Sequence, residues 1–535
     1  MAQELHRLGA KAVVKLLRSG RVTPLQLIDV FEARLAATEH LVHATPITCL
    51  ERARRAAENL AHPAEPPPGY LWGLPVLIKD GQPVAGVRFT EGSGFFKDRV
   101  ARRSEALVLR IEAMGGIVVG KTNLPEFGIG SHTFNEVFPM TVSPYDVRTS
   151  AGGSSGGAAA ALAACQGWLA TGSDLGGSLR TPAAFCGVVG FRNTPGRTPR
   201  PKAMPGKHAG GLPHDLQAVN GLMARSVGDL ALFLDAVAPE AVSGARAPGW
   251  DTWPSLPPLG AESWQAAAAR GAARSHGGWR VVYSTLGCPV AAEVEHLCRT
   301  AAERLAVGGS FEAREEPFSL DVAERVFYVL RAASLYKDFA SASAELRASL
   351  KPELRWNIDS YGAFPGEATS WEASALSESL LLAEQAKSLF AGVDVLATPA
   401  TMDAAFDARV RYPVEDFGAE HEPFSNYLSW MKPAYLISSL PCPALVLPVG
   451  LLPDGRPVGL QLVGASGADG AVLEAAAALE AALGLEMQRG LPSPRRGEGP
   501  LRGRGPKTAE EAAQHHEGAL EAFKERYGKP PRAAL

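Results

Sequence analysis

Three glycine-rich clusters hold the residues best able to do chemistry, and each suggests a different reaction. Gly115-Gly116-Ile117-Val118-Val119-Gly120-Lys121-Thr122 satisfies the phosphate-loop spacing G-x-x-x-x-G-K-[ST]. A phosphate loop leaves a strand and opens a helix whose free N–H groups face the anion. Here a helical stretch precedes the first glycine, the middle residues are strand-like, and Pro125 spoils the helix that should follow, so nucleotide binding is not expected. Gly152-Gly153-Ser154-Ser155-Gly156-Gly157 fits G-x-S-x-G twice, on Ser154 and on Ser155, as a nucleophile elbow would. An elbow needs a strand before it and a histidine after it. Residues 145–150 are polar, and His208, His214, His276, His296 and His421 stand in no recognisable context. Gly172-Ser173-Asp174-Leu175-Gly176-Gly177-Ser178-Leu179-Arg180 places Ser178 24 residues after Ser154, behind paired glycines. Without side chains in the way, backbone N–H groups there can turn inward as an oxyanion hole requires. Taken alone, each cluster is equally a tight turn.

These clusters sit among elements that could hold them rigidly. Leu74-Pro75-Val76-Leu77-Ile78 is an apolar strand ending at the turn Lys79-Asp80-Gly81. Residues 103–114 read as a helix and 116–119 as a short strand. The second cluster runs directly into Ala158–Ala164, a small-residue buried helix. Residues 1–60 read as amphipathic helices, one opened by the cap Thr23 and Pro24. Further strands are expected at 279–283 and 393–397, and 444–449 with 458–463 form a hairpin around Pro453-Asp454-Gly455. Loops 195–213 and 239–258 are rich in Pro and Gly, as is 490–506. Residues 508–527 could form a solvated helix.

In combination, Lys79 at its strand end, Gly153-Ser154-Ser155-Gly156-Gly157 and Ser178 resemble the amidase signature family. The resemblance extends through Gly120-Lys121-Thr122-Asn123-Leu124-Pro125-Glu126-Phe127, Arg180–Gly190, Met223–Ser226, Asp394–Pro399 and Pro457–Gly464, covering essentially residues 1–485. It implies one α/β/α domain over residues 1–488, with a large mixed β-sheet surrounded by helices. Residues 489–535 follow as a linker and tail, disordered or partly helical. It also implies a Ser–cisSer–Lys triad. Ser178 is the nucleophile, Lys79 the base, and Ser154 the relay behind a cis peptide from Gly153. Ser155, Asp174 and Arg180 support the turn, and the N–H groups of Leu175, Gly176, Gly177 and Ser178 form the oxyanion hole. A serine hydroxyl needs a base, and a lysine serves only when neutral, which burial favours by stripping hydration from the charged form. Departures from the family pattern at Gly81, Ser438 and Pro441 fall near the expected substrate side.

Composition bounds the rest. The 535 residues are 46% apolar and 20% charged with a net charge of −3, so no basic field invites nucleic acid or anionic membrane. Six scattered cysteines make no C-x-x-C pair, and residues 1–7 lack the apolar core of a secretory signal, which together suggest a reducing cytoplasm. Length alone suggests three or four domains; motifs spread from Lys79 to Gly464 must converge, which reduces that to one. The expected activity is hydrolysis of a carboxylic amide through an acyl-Ser178, with no metal or organic cofactor. The expected partner is a small amide, a homodimer being open. Alternatives are the glutamine-hydrolysing subunit of an aminoacyl-tRNA amidotransferase, which would need partner subunits, a carbamate or ester hydrolase of the same family, and a silent binding protein. Against the first, Ser131-His132-Thr133-Phe134-Asn135-Glu136 lacks the small polar pattern associated with such a protein. Aromatic and apolar residues in 127–138, 199–212 and 427–435 favour hydrophobic or aryl amides.

Overall fold

A computed structural model of the chain describes residues 2–199, 217–238, 263–274, 277–364, 368–484, 497 and 499–527. The loop residues 200–212 and 239–258 and the histidines His208, His214 and His276 lie outside the described residues. At its centre is a mixed sheet of eleven strands. In chain order the strands are β1 Ile47–Thr48, β2 Pro75–Lys79, β3 Ile117–Thr122, β4 Val142–Ser143, β5 Asp146–Ser150, β6 Leu169–Asp174, β7 Val189–Arg192, β8 Val219–Ala224, β9 Arg280–Tyr283, β10 Ser310–Ala313, β11 Val395–Pro399, β12 Ala444–Leu451 and β13 Pro457–Val463. The large sheet runs β1-β3-β2-β6-β8-β7-β12-β13-β11-β9-β10, while β4 and β5 pair separately. Every residue of β2, β3, β7, β8, β11 and β13 is buried, because helices cover both faces. That is why β2 and the start of β3 read as continuous apolar runs rather than alternating ones.

The register of three strands brings the chemistry together. β2 runs parallel to β3 on one side and to β6 on the other, with Val76 opposite Leu169 and Leu77 opposite Ala170. Parallel neighbours release their C-terminal ends on the same edge. Continuing that register carries Lys79, the last residue of β2, opposite Gly172, next to Ser173 and Asp174, which end β6. The helix Gly156–Ala163 is buried at every position; its run of small residues lets it pack close to the strands, and Ser154 and Ser155 lie at its entrance.

Most of the expected elements are present. The helix over 103–114 is Ala106–Ala113, the cap at Thr23 is a capping box with Gln26, and β12 and β13 form the antiparallel hairpin. The polar stretch 145–150 is a strand after all, β5, held against β4 and by bridges to 406–408. Its polar side chains bond locally, so it lacks the alternation that would reveal it. Residues 499–519 pack on the body. Arg504 exchanges backbone hydrogen bonds with Glu415, and Ala512 and His516, in the helix Ala509–Tyr527, are buried. One face of that helix is therefore covered rather than solvated. Among the described residues no helix is long and apolar enough to cross a membrane.

Candidate active site

Lys79 is 1% exposed and its ammonium nitrogen sits among three hydroxyls: Ser154 Oγ at 2.7 Å, Ser155 Oγ at 2.9 Å and Ser173 Oγ at 3.0 Å. Burial pushes its pKa from 10.5 down to about 7, and the negative charge of Asp174 keeps it from falling further. The lysine is thus poised to exchange a proton near neutrality. Its backbone N–H is fixed by Thr171 Oγ1, which itself bonds Gln82. The next residue, Asp80, pairs with buried Lys121 at 2.8 Å. Lys121, the lysine of the phosphate-loop pattern, is therefore neutralised inside the sheet, within strand β3 rather than in a loop.

The peptide bond between Gly153 and Ser154 is cis. The loop around it is clasped from outside by the segment 130–132: a Cβ on Gly153 would fall 2.8 Å from the His132 nitrogen. His132 Nε2 lies 2.9 Å from the Ala408 carbonyl and must donate to it, which leaves Nδ1 as acceptor for the Ser150 hydroxyl at 2.7 Å. The Ser150 oxygen in turn accepts from Gly152 N–H. Burial pushes the His132 pKa down to about 4, so the ring is neutral and structural. Nothing in the sequence motifs marked His132 or Ser173. Ser173 could have been found from strand alternation, since it is two residues beyond Thr171 on the strand that ends at Asp174.

Ser178 stands on the turn after β6 and is partly exposed, unlike buried Ser154 and Ser155. Its hydroxyl makes no hydrogen bond among the described residues, while its carbonyl accepts from Ser155 N–H at 3.0 Å, which ties the two loops together. Of the four expected oxyanion donors, Leu175, Gly176 and Ser178 have N–H groups without an acceptor among the described residues. Gly177 N–H instead donates to Asp174 Oδ1 at 3.0 Å, a hydrogen bond that shapes the turn. Gly177 has φ +102°, and a Cβ there would lie 2.5 Å from that of Ala434. No other residue type fits.

Asp174 and Arg180 hold this turn from behind. Both are buried, 2.8 Å apart, and Asp174 Oδ2 also accepts Leu179 N–H. Burial by itself would raise the Asp174 pKa, but Arg180 and then Arg192 hold it well below the usual carboxylate range. Arg180 further donates to the Ala434 carbonyl, Gln461 Oε1 and Ser438 Oγ. Ser438, expected on the substrate side, is therefore part of the support behind the turn. On the open side, a Cβ on Gly176 would lie 3.0 Å from the Phe327 ring and one on Gly128 3.6 Å from Ser154 Oγ. Of the two described histidines considered for an elbow, His296 is exposed and His421 half-buried, and neither bonds to Ser154 or Ser155. No cluster of described residues could hold a metal ion.

Comparison with known proteins shows the family and the fold. The sequence profile described as Amidase matches residues 26–473. A glutamyl-tRNA(Gln) amidotransferase subunit of Anaeromyxobacter dehalogenans is 31% identical over 511 residues, covering 89% of this chain and 96% of that protein. The structure of 6-aminohexanoate cyclic dimer hydrolase with its substrate superposes with a TM-score of 0.74 at 26% identity, covering 90% of this chain and 98% of that one. A bacterial aryl acylamidase of the amidase signature enzymes shares the fold with a TM-score of 0.77 at 23% identity, covering 92% of this chain and 99% of that one.

Proposed function

The chain belongs to the Amidase family and is an amide hydrolase, and from that premise we propose that it cleaves its amide through an acyl-enzyme on Ser178. The observation that carries this reading is the buried Lys79 amine bonded to three serine hydroxyls beside the half-open Ser178 turn. Ser178 Oγ attacks the amide carbonyl, and its proton passes by way of Ser154 to neutral Lys79. Negative charge developing on the carbonyl oxygen is met by the N–H groups of Leu175, Gly176 and Ser178, each such donor contributing about 3 kcal/mol. Collapse of the tetrahedral intermediate returns the proton to the leaving nitrogen, and water then releases the acid by the same route in reverse. Ser155 and Ser173 hold the lysine in place, and Asp174 with Arg180 holds the turn. Phe327 and Tyr435 beside Gly176 favour an acyl group that is apolar next to its carbonyl.

A second reading is favoured by the similarity to the amidotransferase protein: the chain hydrolyses glutamine and works within a larger complex. The purified chain separates the two. Turnover of aryl and aliphatic amides by the chain alone, abolished in Ser178→Ala together with fluorophosphonate labelling, supports the first. Glutamine hydrolysis that appears only with added partner proteins supports the second. Labelling at Ser154 or Ser155 instead of Ser178 overturns both.

A further inference from the structure

One buried cation near the site has no counter-ion among the described residues. The helix Leu320–Asp338 carries Phe327 and, one turn later, Arg331. Phe327 stacks on Tyr435 with ring centroids 4.6 Å apart and closes over Gly176 of the oxyanion turn. The Arg331 guanidinium lies behind it, 5.8 Å from the Phe327 centroid, in a residue only 6% exposed. Its hydrogen-bond partners are neutral: Nε donates to Asn357 Oδ1 at 2.9 Å and Nη2 to the Tyr427 hydroxyl at 2.9 Å. Among the described residues no carboxylate pairs with it and Nη1 has no acceptor.

The carboxylates in the neighbourhood are already engaged. Glu353 is held by Arg411 at 2.7 and 2.8 Å, and Glu126 accepts from Ser93 and from the Lys351 backbone. A second donor is also idle. Asn357 Nδ2 donates to the Glu353 carbonyl, which fixes the amide's orientation, and it donates to Tyr427 as well. The Tyr427 oxygen thus accepts twice, and its own proton has no acceptor among the described residues. A desolvated cation beside an unused O–H and an unused N–H is an incomplete arrangement, since a buried charge is ordinarily paired and hydrogen-bonded. Guanidinium and phenol together offer what a carboxylate needs. On the near side, Lys351 holds the Ile129 carbonyl, next to Gly128 over Ser154. Arg331 thus approaches the same Phe327 ring that lies against Gly176 of the oxyanion turn.

We propose that Arg331 and Tyr427 receive a carboxylate at the far end of the acyl chain, which makes the substrates monoamides of dicarboxylic acids. This rests on the amide-hydrolase reading above. The test measures kcat and KM for succinic, glutaric and adipic acid monoamides, each against the neutral amide of equal chain length. The enzymes are the wild type, Arg331→Gln, Arg331→Lys and Tyr427→Phe. The wild type is expected to favour one acid by about 10–100-fold in kcat/KM, carried by KM, as hydrogen bonds to a charged group allow. Arg331→Gln brings that ratio to about one and Arg331→Lys keeps part of it. Tyr427→Phe, which removes a single oxygen and tests the site even if Arg331→Gln fails to fold, lowers the ratio several-fold. Absence of any acid preference at all three lengths overturns the proposal. So does a variant that slows acid and neutral amides by the same factor, since that marks a structural arginine. Failure of the amide-hydrolase reading looks different: no amide, acid or neutral, is turned over and Ser178 is not labelled.

Discussion

Lowering the pH titrates Lys79 directly, because the proposed base works only in its neutral form. With a native pKa of about 7, the lysine is mostly neutral above that pH and protonated below it. Each pH unit below the pKa removes about nine-tenths of the remaining base, so kcat/KM should fall about tenfold per unit, to about one-hundredth at pH 5. The assay is kcat/KM for one neutral amide between pH 5 and 9, with a substrate that carries no titrating group in that range. Lys79→Arg supplies the control: a guanidinium keeps its proton throughout, so this variant should be inactive at every pH. A flat profile from about pH 5 to 9 in the wild type, or an active Lys79→Arg, refutes the lysine base. The same pKa fall has a consequence for stability. Between about 7 and 10.5 the unfolded chain binds a proton that the native lysine does not, so this group makes the native state more stable as pH rises through that window. The full effect is about 5 kcal/mol.

Three further outcomes follow from the packing. Asp174→Asn leaves Arg180 buried without its counter-charge, and thermal or urea unfolding should show a loss of about 3–5 kcal/mol. Gly177→Ala places a methyl group against Ala434 at a positive φ; it should cost about 1–3 kcal/mol from crowding alone and lower kcat through the displaced Ser178 turn. Truncation after Arg496 removes the helix whose His516 stacks on Trp356 and Tyr412, so the tryptophan emission should shift red and the unfolding midpoint should drop. An unchanged midpoint would mean that this packing contributes nothing.

The residues proposed to carry chemistry, and the elements that bear them, are legible in the order of amino acids alone. Lys79 ends an apolar run because β2 is buried on both faces, which favours apolar residues along both sides of the strand. Ser154, Ser155 and Ser178 stand out because tight backbone turns demand glycines, and glycines leave a spacing that can be read without knowing the fold. Polar partners leave no such spacing. Strand β5 escapes notice because its buried side chains are polar and hydrogen-bonded, Asp146 to Arg148 and Ser150 to His132, so no apolar alternation marks it. The part played by His132 is invisible because it depends on Ala408, far along the chain, and alternation with Thr171 can place Ser173 without revealing that its partner is Lys79. It takes the folded arrangement to show that Gly177 N–H donates to Asp174, that Ser438 accepts from Arg180, and that residues 499–519 lie against the body. The physical reason is common to all of these. A buried hydrogen bond or ion pair requires a complementary partner but places no constraint on where in the chain that partner occurs, so the pairing is settled when the sheet's register and the helices' packing bring the two together.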